Sequence, residues 1–174
     1  MPANHNAPPR VLVPEPLTPK AFAPFGDVIQ AKGALPSVTI NGGYAQRFND
    51  LAAVDVARGG GRANISIFRA KPRMFPLQLH SLERHPLGSQ AFFSLSQQPF
   101  LVVVAPVGDV PETLLVRCFL AGPGQGVNYH AGTWHHALIA LESPGDFLVV
   151  DRAAEGATDN CDECELGSKI SLHW

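Results

Sequence analysis

Three of the chain's seven histidines fall within the seven residues from His130 to His136, inside the stretch Gly124 to Leu138, GQGVNYHAGTWHHAL. Imidazoles titrate near neutral pH and bind divalent cations, and a Gly-rich turn commonly presents such groups at a sheet edge. A second stretch, Leu79 to Ala91, LHSLERHPLGSQA, carries His80, Glu83, His85 and Gln90. On an extended strand Glu83 and His85 share one face and Arg84 takes the other. That parity suits a chelating or acid–base pair, and equally a surface salt bridge at a strand end. If the fold joins the two stretches, the result is a pocket of imidazoles and carboxylate.

Neighbours on a strand face opposite sides, so His135 and His136 cannot both point inward. His135 is the inward candidate, because Gly132 permits the tight turn that aims it, and His136 takes a structural or outer-wall role. His130 is either a general acid–base at the pocket mouth or a plain loop residue. Asn128 and Gln90 offer amides to a substrate. Arg69 shares a strand face with Ile65 and Ile67, which carries it toward the interior; there it meets either a carboxylate ligand or an internal acidic partner. His5 and His173 are terminal and uninvolved. Asn41-Gly42-Gly43 and Arg47 form a loop-like stretch placed to cover a pocket.

The elements that position these residues read as strands. Asn64 to Arg69 alternates, and Phe100 to Ala105, FLVVVA, is a continuous apolar run that predicts a strand buried on both faces. Leu114 to Leu120, Ala137 to Leu141 and Asp146 to Val150 add β-rich segments, separated by Gly-Pro punctuation. Thr18-Pro19 predicts a short helix over Lys20 to Phe25, closed by Gly26. Sixteen Gly, sixteen Pro and few helical patterns point to an all-β barrel or sandwich. Five prolines within residues 1–16 make that segment an extended, partly disordered lead-in, and residues 17–174 are expected to be one domain.

Charged residues make up 16% and the formal net charge is -2, so nothing argues for nucleic acid or an anionic membrane as partner. The N-terminus lacks an apolar signal core and no run spans a bilayer, which leads us to expect a soluble, cytoplasmic protein. Cys161-Asp-Glu-Cys164 is a lone CxxC among acidic residues, including Asp159, that disfavour thiolate. It reads as a surface or tail segment, neither zinc site nor redox centre.

The two stretches resemble the paired motifs of the cupin superfamily, whose small jelly-roll β-barrel holds a divalent metal with three histidines and a glutamate. In that likeness the first motif's HxH falls on Glu83-Arg84-His85, its glutamate on Gln90 and its closing glycine on Gln97. The second motif's PxGxxH falls on His130-Ala-Gly132-Thr-Trp-His135, with Ile139 at its terminal asparagine. The implied metal ligands are Glu83, His85, Gln90 and His135.

A narrower resemblance covers nearly the whole chain. Phe25-Gly-Asp-Val-Ile29, Ile40-Asn-Gly-Gly43, the Asp50-Leu51-Ala52 that follows Arg47, Leu82-Glu-Arg-His-Pro-Leu-Gly88, Gln90-Ala-Phe92, Val102-Val-Val-Ala105, Gln125-Gly-Val-Asn-Tyr-His130, Trp134-His-His136 and Asp159-Asn-Cys161 are similar to the bacterial ureidoglycolate lyases. The resemblance implies a cupin-like barrel with a few short helices, acting as a homodimer in allantoin and purine breakdown. It implies release of urea from (S)-ureidoglycolate to leave glyoxylate, helped by a divalent metal such as nickel.

That reaction needs a base for the hydroxyl, an acid for the departing urea nitrogen and a positive group for the carboxylate. Glu83, His85, His130 and His135 are the expected proton carriers; the carboxylate is held either by a cation bound among them, acting as a Lewis acid, or, where no metal does so, by Arg69. The rival readings are another metal-dependent cupin enzyme, a dioxygenase or isomerase, and a non-catalytic binder of small acids.

Overall fold

The structure is a computed structural model and describes residues 10–33, 37–155 and 160–174. In chain order its strands are β1 (Arg10–Leu12), β2 (Glu15–Pro16), β3 (Gly26–Gln30), β4 (Ser37–Ile40), β5 (Ala45–Phe48), β6 (Arg62–Ala70), β7 (Leu77–Arg84) and β8 (Gln90–Ser94). There follow β9 (Phe100–Ala105), β10 (Arg117–Ala121), β11 (Gln125–Tyr129), β12 (Trp134–His135), β13 (Ile139–Ala140), β14 (Gly145–Ala153) and β15 (Asp162–Leu172). One short helix, α1 (Pro19–Phe22), precedes β3.

All six residues of β9 are buried, as an unbroken apolar run requires. Its even-numbered side chains, Phe100, Val102 and Val104, pack against Phe92, Val127 and Phe147 in the barrel interior. Its odd-numbered ones, Leu101, Val103 and Ala105, meet Leu79, Leu82 and Ile170 on the far side. This two-faced burial follows from the topology. A larger sheet ordered β1-β15-β7-β12-β9-β10-β2, with β13 beside β9, curls around a smaller one ordered β3-β11-β8-β14-β6. The architecture is an all-β jelly-roll barrel with few helical turns.

Details of the sequence reading shift. Residues 1–9 lie outside the described residues, but from Arg10 onward the proline-rich lead-in contributes two strands. β1 pairs parallel with β15, and β2 with β10. Both are short edge strands, where a proline's missing donor is tolerated, so Pro16 sits opposite Leu120 without breaking a central ladder. The expected helix over Lys20 to Phe25 is confined to Pro19–Phe22, capped by Thr18, whose Oγ1 accepts from the Ala21 amide at 3.2 Å. Leu114 opens in a single 3-10 turn, Thr113–Leu115, before β10 begins.

The larger correction concerns β6. Phe68 turns inward, its ring edge-on to Phe92 at 5.9 Å, so Ile65 and Ile67 on the opposite parity point out and are 71% and 54% exposed. Arg69 goes with them. The aromatic, itself 41% exposed, takes the cavity-facing side, and the Ile-bearing face is left to solvent at a sheet edge. The Cys161–Cys164 segment is the surface segment expected, with Cys161 exposed, but it is paired and not a tail: β15 runs beside β7 and sets Cys164 opposite Leu82.

Candidate functional site

The two histidine-bearing stretches meet through a strand ladder. β12 pairs with β7 so that His135 lies directly across from Glu83. Side chains directly opposite on neighbouring strands share a face, so this register sends both groups into the barrel. Their neighbours go the other way. The Arg84 guanidinium stacks 4.7 Å over the Trp134 ring, whose Nε1 donates to the Gly108 carbonyl at 2.9 Å. Behind them, Gly132 takes a left-handed turn at φ +81° and its amide donates to the His85 carbonyl at 2.9 Å. A side chain disfavours that φ, which is why glycine suits the turn.

Glu83, His85 and His135 bring one ligating atom each within 4.8 Å of one another. His135 Nδ1 stands 3.7 Å from Glu83 Oε1, and the two imidazole centroids are 5.2 Å apart. Burial, and then the neighbouring His85, push the His135 pKa down to about 3, so its ring is neutral at physiological pH and keeps a lone pair. His85 Nδ1 donates to the Asn160 carbonyl at 2.7 Å. Gln90 opens β8 directly across from Tyr129 and lines the same cavity as Glu83. That cavity holds about 260 Å³ and is walled further by Phe68, Arg69, Phe92 and Leu138.

Three of these groups carry buried polar atoms with no hydrogen-bond partner among the described residues: His85 Nε2, His135 Nε2 and Gln90 Oε1. Leaving such atoms unsatisfied costs roughly 1–3 kcal/mol each. Two imidazoles, an amide oxygen and a carboxylate form a donor set that a divalent cation satisfies, so the residues fit the metal that the cupin likeness implies.

Other expected residues stand elsewhere. His130 is half exposed and its Nε2 lies 3.2 Å from Asp27 Oδ1, beside shallower cavities that Glu83 does not line. Asn128 is fully buried on the face of β11 opposite Tyr129. Its Nδ2 donates to Asp27 Oδ2 and to the Ala53 carbonyl, both at 3.0 Å, so its amide secures a loop and does not reach the cavity. Strand parity is the reason, because Tyr129 and Val127 take the inward positions. Arg69 is exposed, not interior. It reaches the cavity rim and pairs with Asp146 through Nε at 2.7 Å and Nη2 at 2.9 Å. His136 sits outside the cluster, with burial lowering its pKa and Nδ1 donating to the Ala137 carbonyl at 2.8 Å.

Three residues escaped the sequence reading: Tyr129, Asn160 and Cys161. Tyr129 stacks face to face on His135, centroids 4.3 Å apart and planes within 8°, and burial followed by the nearby Glu83 charge raises its pKa. Its parity on β11 was the available signal. Cys161 places Sγ 3.9 Å from Glu83 Oε2, brought there by the approach to β15, which no local pattern announces. Asp159, next in that segment, lies outside the described residues.

Comparison with known sequences agrees with this geometry. The sequence model of the family described as Ureidoglycolate lyase matches residues 9–173. The ureidoglycolate lyase of Pseudomonas syringae pv. syringae (strain B728a) is 55% identical over 154 residues, 88% of this chain and 89% of that protein. Those of Pseudomonas entomophila (strain L48) and Pseudomonas aeruginosa (strain LESB58) are each 54% identical over 88% of the chain, covering 90% and 89% of their own lengths. A match across nearly the whole length, on a barrel that gathers Glu83, His85 and His135, places this chain in the ureidoglycolate lyase family.

Proposed function

We propose that this chain splits (S)-ureidoglycolate into glyoxylate and urea, serving allantoin and purine breakdown. The observation that carries the site assignment is the convergence of Glu83, His85 and His135 beside the cavity that Glu83 and Gln90 line, with buried polar atoms that nothing among the described residues satisfies.

The substrate is a carbinolamide: its hydroxyl carbon also bears the urea nitrogen and a carboxylate. Cleavage moves the hydroxyl proton to the departing nitrogen while the hydroxyl oxygen becomes a carbonyl. We assign that transfer to Glu83. Its carboxylate takes the hydroxyl proton, and the resulting carboxyl returns it to the urea nitrogen as the C–N bond breaks, so the site ends with the charge it began with. His135 is fixed in its neutral form by burial and therefore serves as an electron-pair donor. His85, His135, Gln90 and Glu83 would hold a divalent cation, nickel by family resemblance, which supplies Lewis acidity to the substrate oxygens.

At the rim, Arg69 receives the carboxylate. Its Nε–Nη2 edge is committed to Asp146, which leaves Nη1 for the substrate and holds the guanidinium in place. Phe68, Phe92 and Leu138 line the remaining wall and exclude water from the carbinolamide.

A homodimer fits the surface. β6 ends its sheet with one backbone edge unpaired among the described residues, and it presents Ile65 and Ile67 outward. An apolar stripe on an open edge strand is a template for a second copy. We place the protein in the cytoplasm; among the described residues no helix is long and apolar enough to cross a membrane.

The test is release of glyoxylate and urea from (S)-ureidoglycolate by purified protein, with and without chelator. His85→Ala and His135→Ala are each expected to abolish release while the circular dichroism spectrum is kept. Normal turnover in both variants contradicts the site.

A further inference from the structure

We propose that Asn160 is a positioning residue that selects the tautomer of His85. The inference rests on His85 belonging to the site above.

A backbone carbonyl only accepts, so the 2.7 Å contact between the Asn160 carbonyl and His85 Nδ1 requires the proton on Nδ1. In a neutral ring the bare lone pair then sits on Nε2, which is buried and has no partner among the described residues. The free neutral side chain prefers the opposite arrangement, with hydrogen on Nε2. The contact therefore reverses an intrinsic preference, and does so in the direction that gives the site an electron-pair donor.

The grip is double. Asn160 Oδ1 also accepts from the Leu87 amide at 2.7 Å, so one residue holds both the ring of His85 and the turn that follows it. From the other side the Gly132 amide bonds the His85 carbonyl at 2.9 Å. The His85 main chain is thus pinned by the second histidine stretch and its ring by Asn160, 75 residues along the chain. Partners of this kind, which orient a ligating imidazole, typically contribute 10–100-fold to metal affinity.

Imidazole nitrogen shifts in ¹⁵N-labelled, metal-free protein at neutral pH read the tautomer directly. His85 is expected to carry hydrogen on Nδ1 in the wild type and in Asn160→Asp, which keeps a side-chain acceptor for Leu87. Asn160→Ala keeps the main-chain carbonyl but loses the Oδ1 bond to the Leu87 amide that holds it against the His85 ring, so a substantial Nε2–H population is expected. Titration with Ni²⁺ should then show affinity lowered about 10–100-fold in Asn160→Ala and largely restored in Asn160→Asp. Hydrogen on Nε2 of wild-type His85, or an unchanged tautomer in Asn160→Ala, overturns the proposal. A wild-type protein that takes up no divalent ion rejects the metal reading alone, because the nitrogen shifts decide the role of Asn160 without metal.

Discussion

The Tyr129 ring lies flat on the His135 imidazole, 4.3 Å from centroid to centroid, and thereby sets the plane in which that imidazole can turn. Stacked aromatic pairs contribute about 0.5–1.5 kcal/mol beyond their buried area. Tyr129→Phe keeps the stack and is expected to retain activity within a few-fold. Tyr129→Leu removes it, and a double-mutant cycle with His135→Ala by chemical denaturation should return a coupling of about 0.5–1.5 kcal/mol. A coupling near zero would show that the stack is incidental.

Arg69 and Asp146 act as a unit at the cavity rim. Removing a charge-assisted hydrogen bond costs about 1.5–3 kcal/mol, so Arg69→Ala should raise KM by roughly tenfold or more. Asp146→Asn keeps the guanidinium but loosens its anchor, and a smaller rise is expected. Steady-state kinetics separate this from a loss confined to kcat, which would move Arg69 from carboxylate binding to the chemical step.

How far the residues spoke for themselves differs between fold and site. FLVVVA announced a doubly buried strand because apolar side chains of both parities leave no solvent face. The parity of Glu83 and His85 and the turn at Gly132 foretold that these two side chains and His135 come together, for both are local rules. Arg69 misled because parity says which residues share a face but not which face is inside; the mass of Phe68 against Phe92 decided that. Asn128 misled similarly, one position out of phase with Tyr129. Asn160 and Cys161 were invisible as site neighbours, since only the pairing of β15 with β7 brings them to His85 and Glu83.

Asp27 ties the loop over β11 to the barrel. Its carboxylate accepts from the Ala53 amide, Asn128 Nδ2 and His130 Nε2. Partial burial works to raise its pKa, but these hydrogen bonds outweigh it and hold the pKa below the usual 3.8. A depressed carboxyl pKa stabilises the fold above the unfolded-state value, and the contribution is lost as pH falls through the folded value. Asp27→Asn is therefore expected to cost about 1–3 kcal/mol near pH 7, with the difference from wild type shrinking below pH 4. Thermal unfolding from pH 7 downward checks it, and a gap that does not begin to narrow once the pH is below 3.8 contradicts it.

Ile65 and Ile67 face solvent in the single chain. If they are the contact between copies, Ile67→Asp places a charge in an apolar interface, and light scattering should report a monomer where the wild type is a dimer. Dimers of unchanged stability would move the interface elsewhere.

The most direct measurement is the turnover of (S)-ureidoglycolate by Glu83→Gln. The side chain keeps its shape and loses the carboxylate that carries the proton, so kcat is expected to fall about 10²–10⁴-fold with the fold intact. Glyoxylate released at the wild-type rate would contradict the assignment of the cleavage chemistry to this cavity.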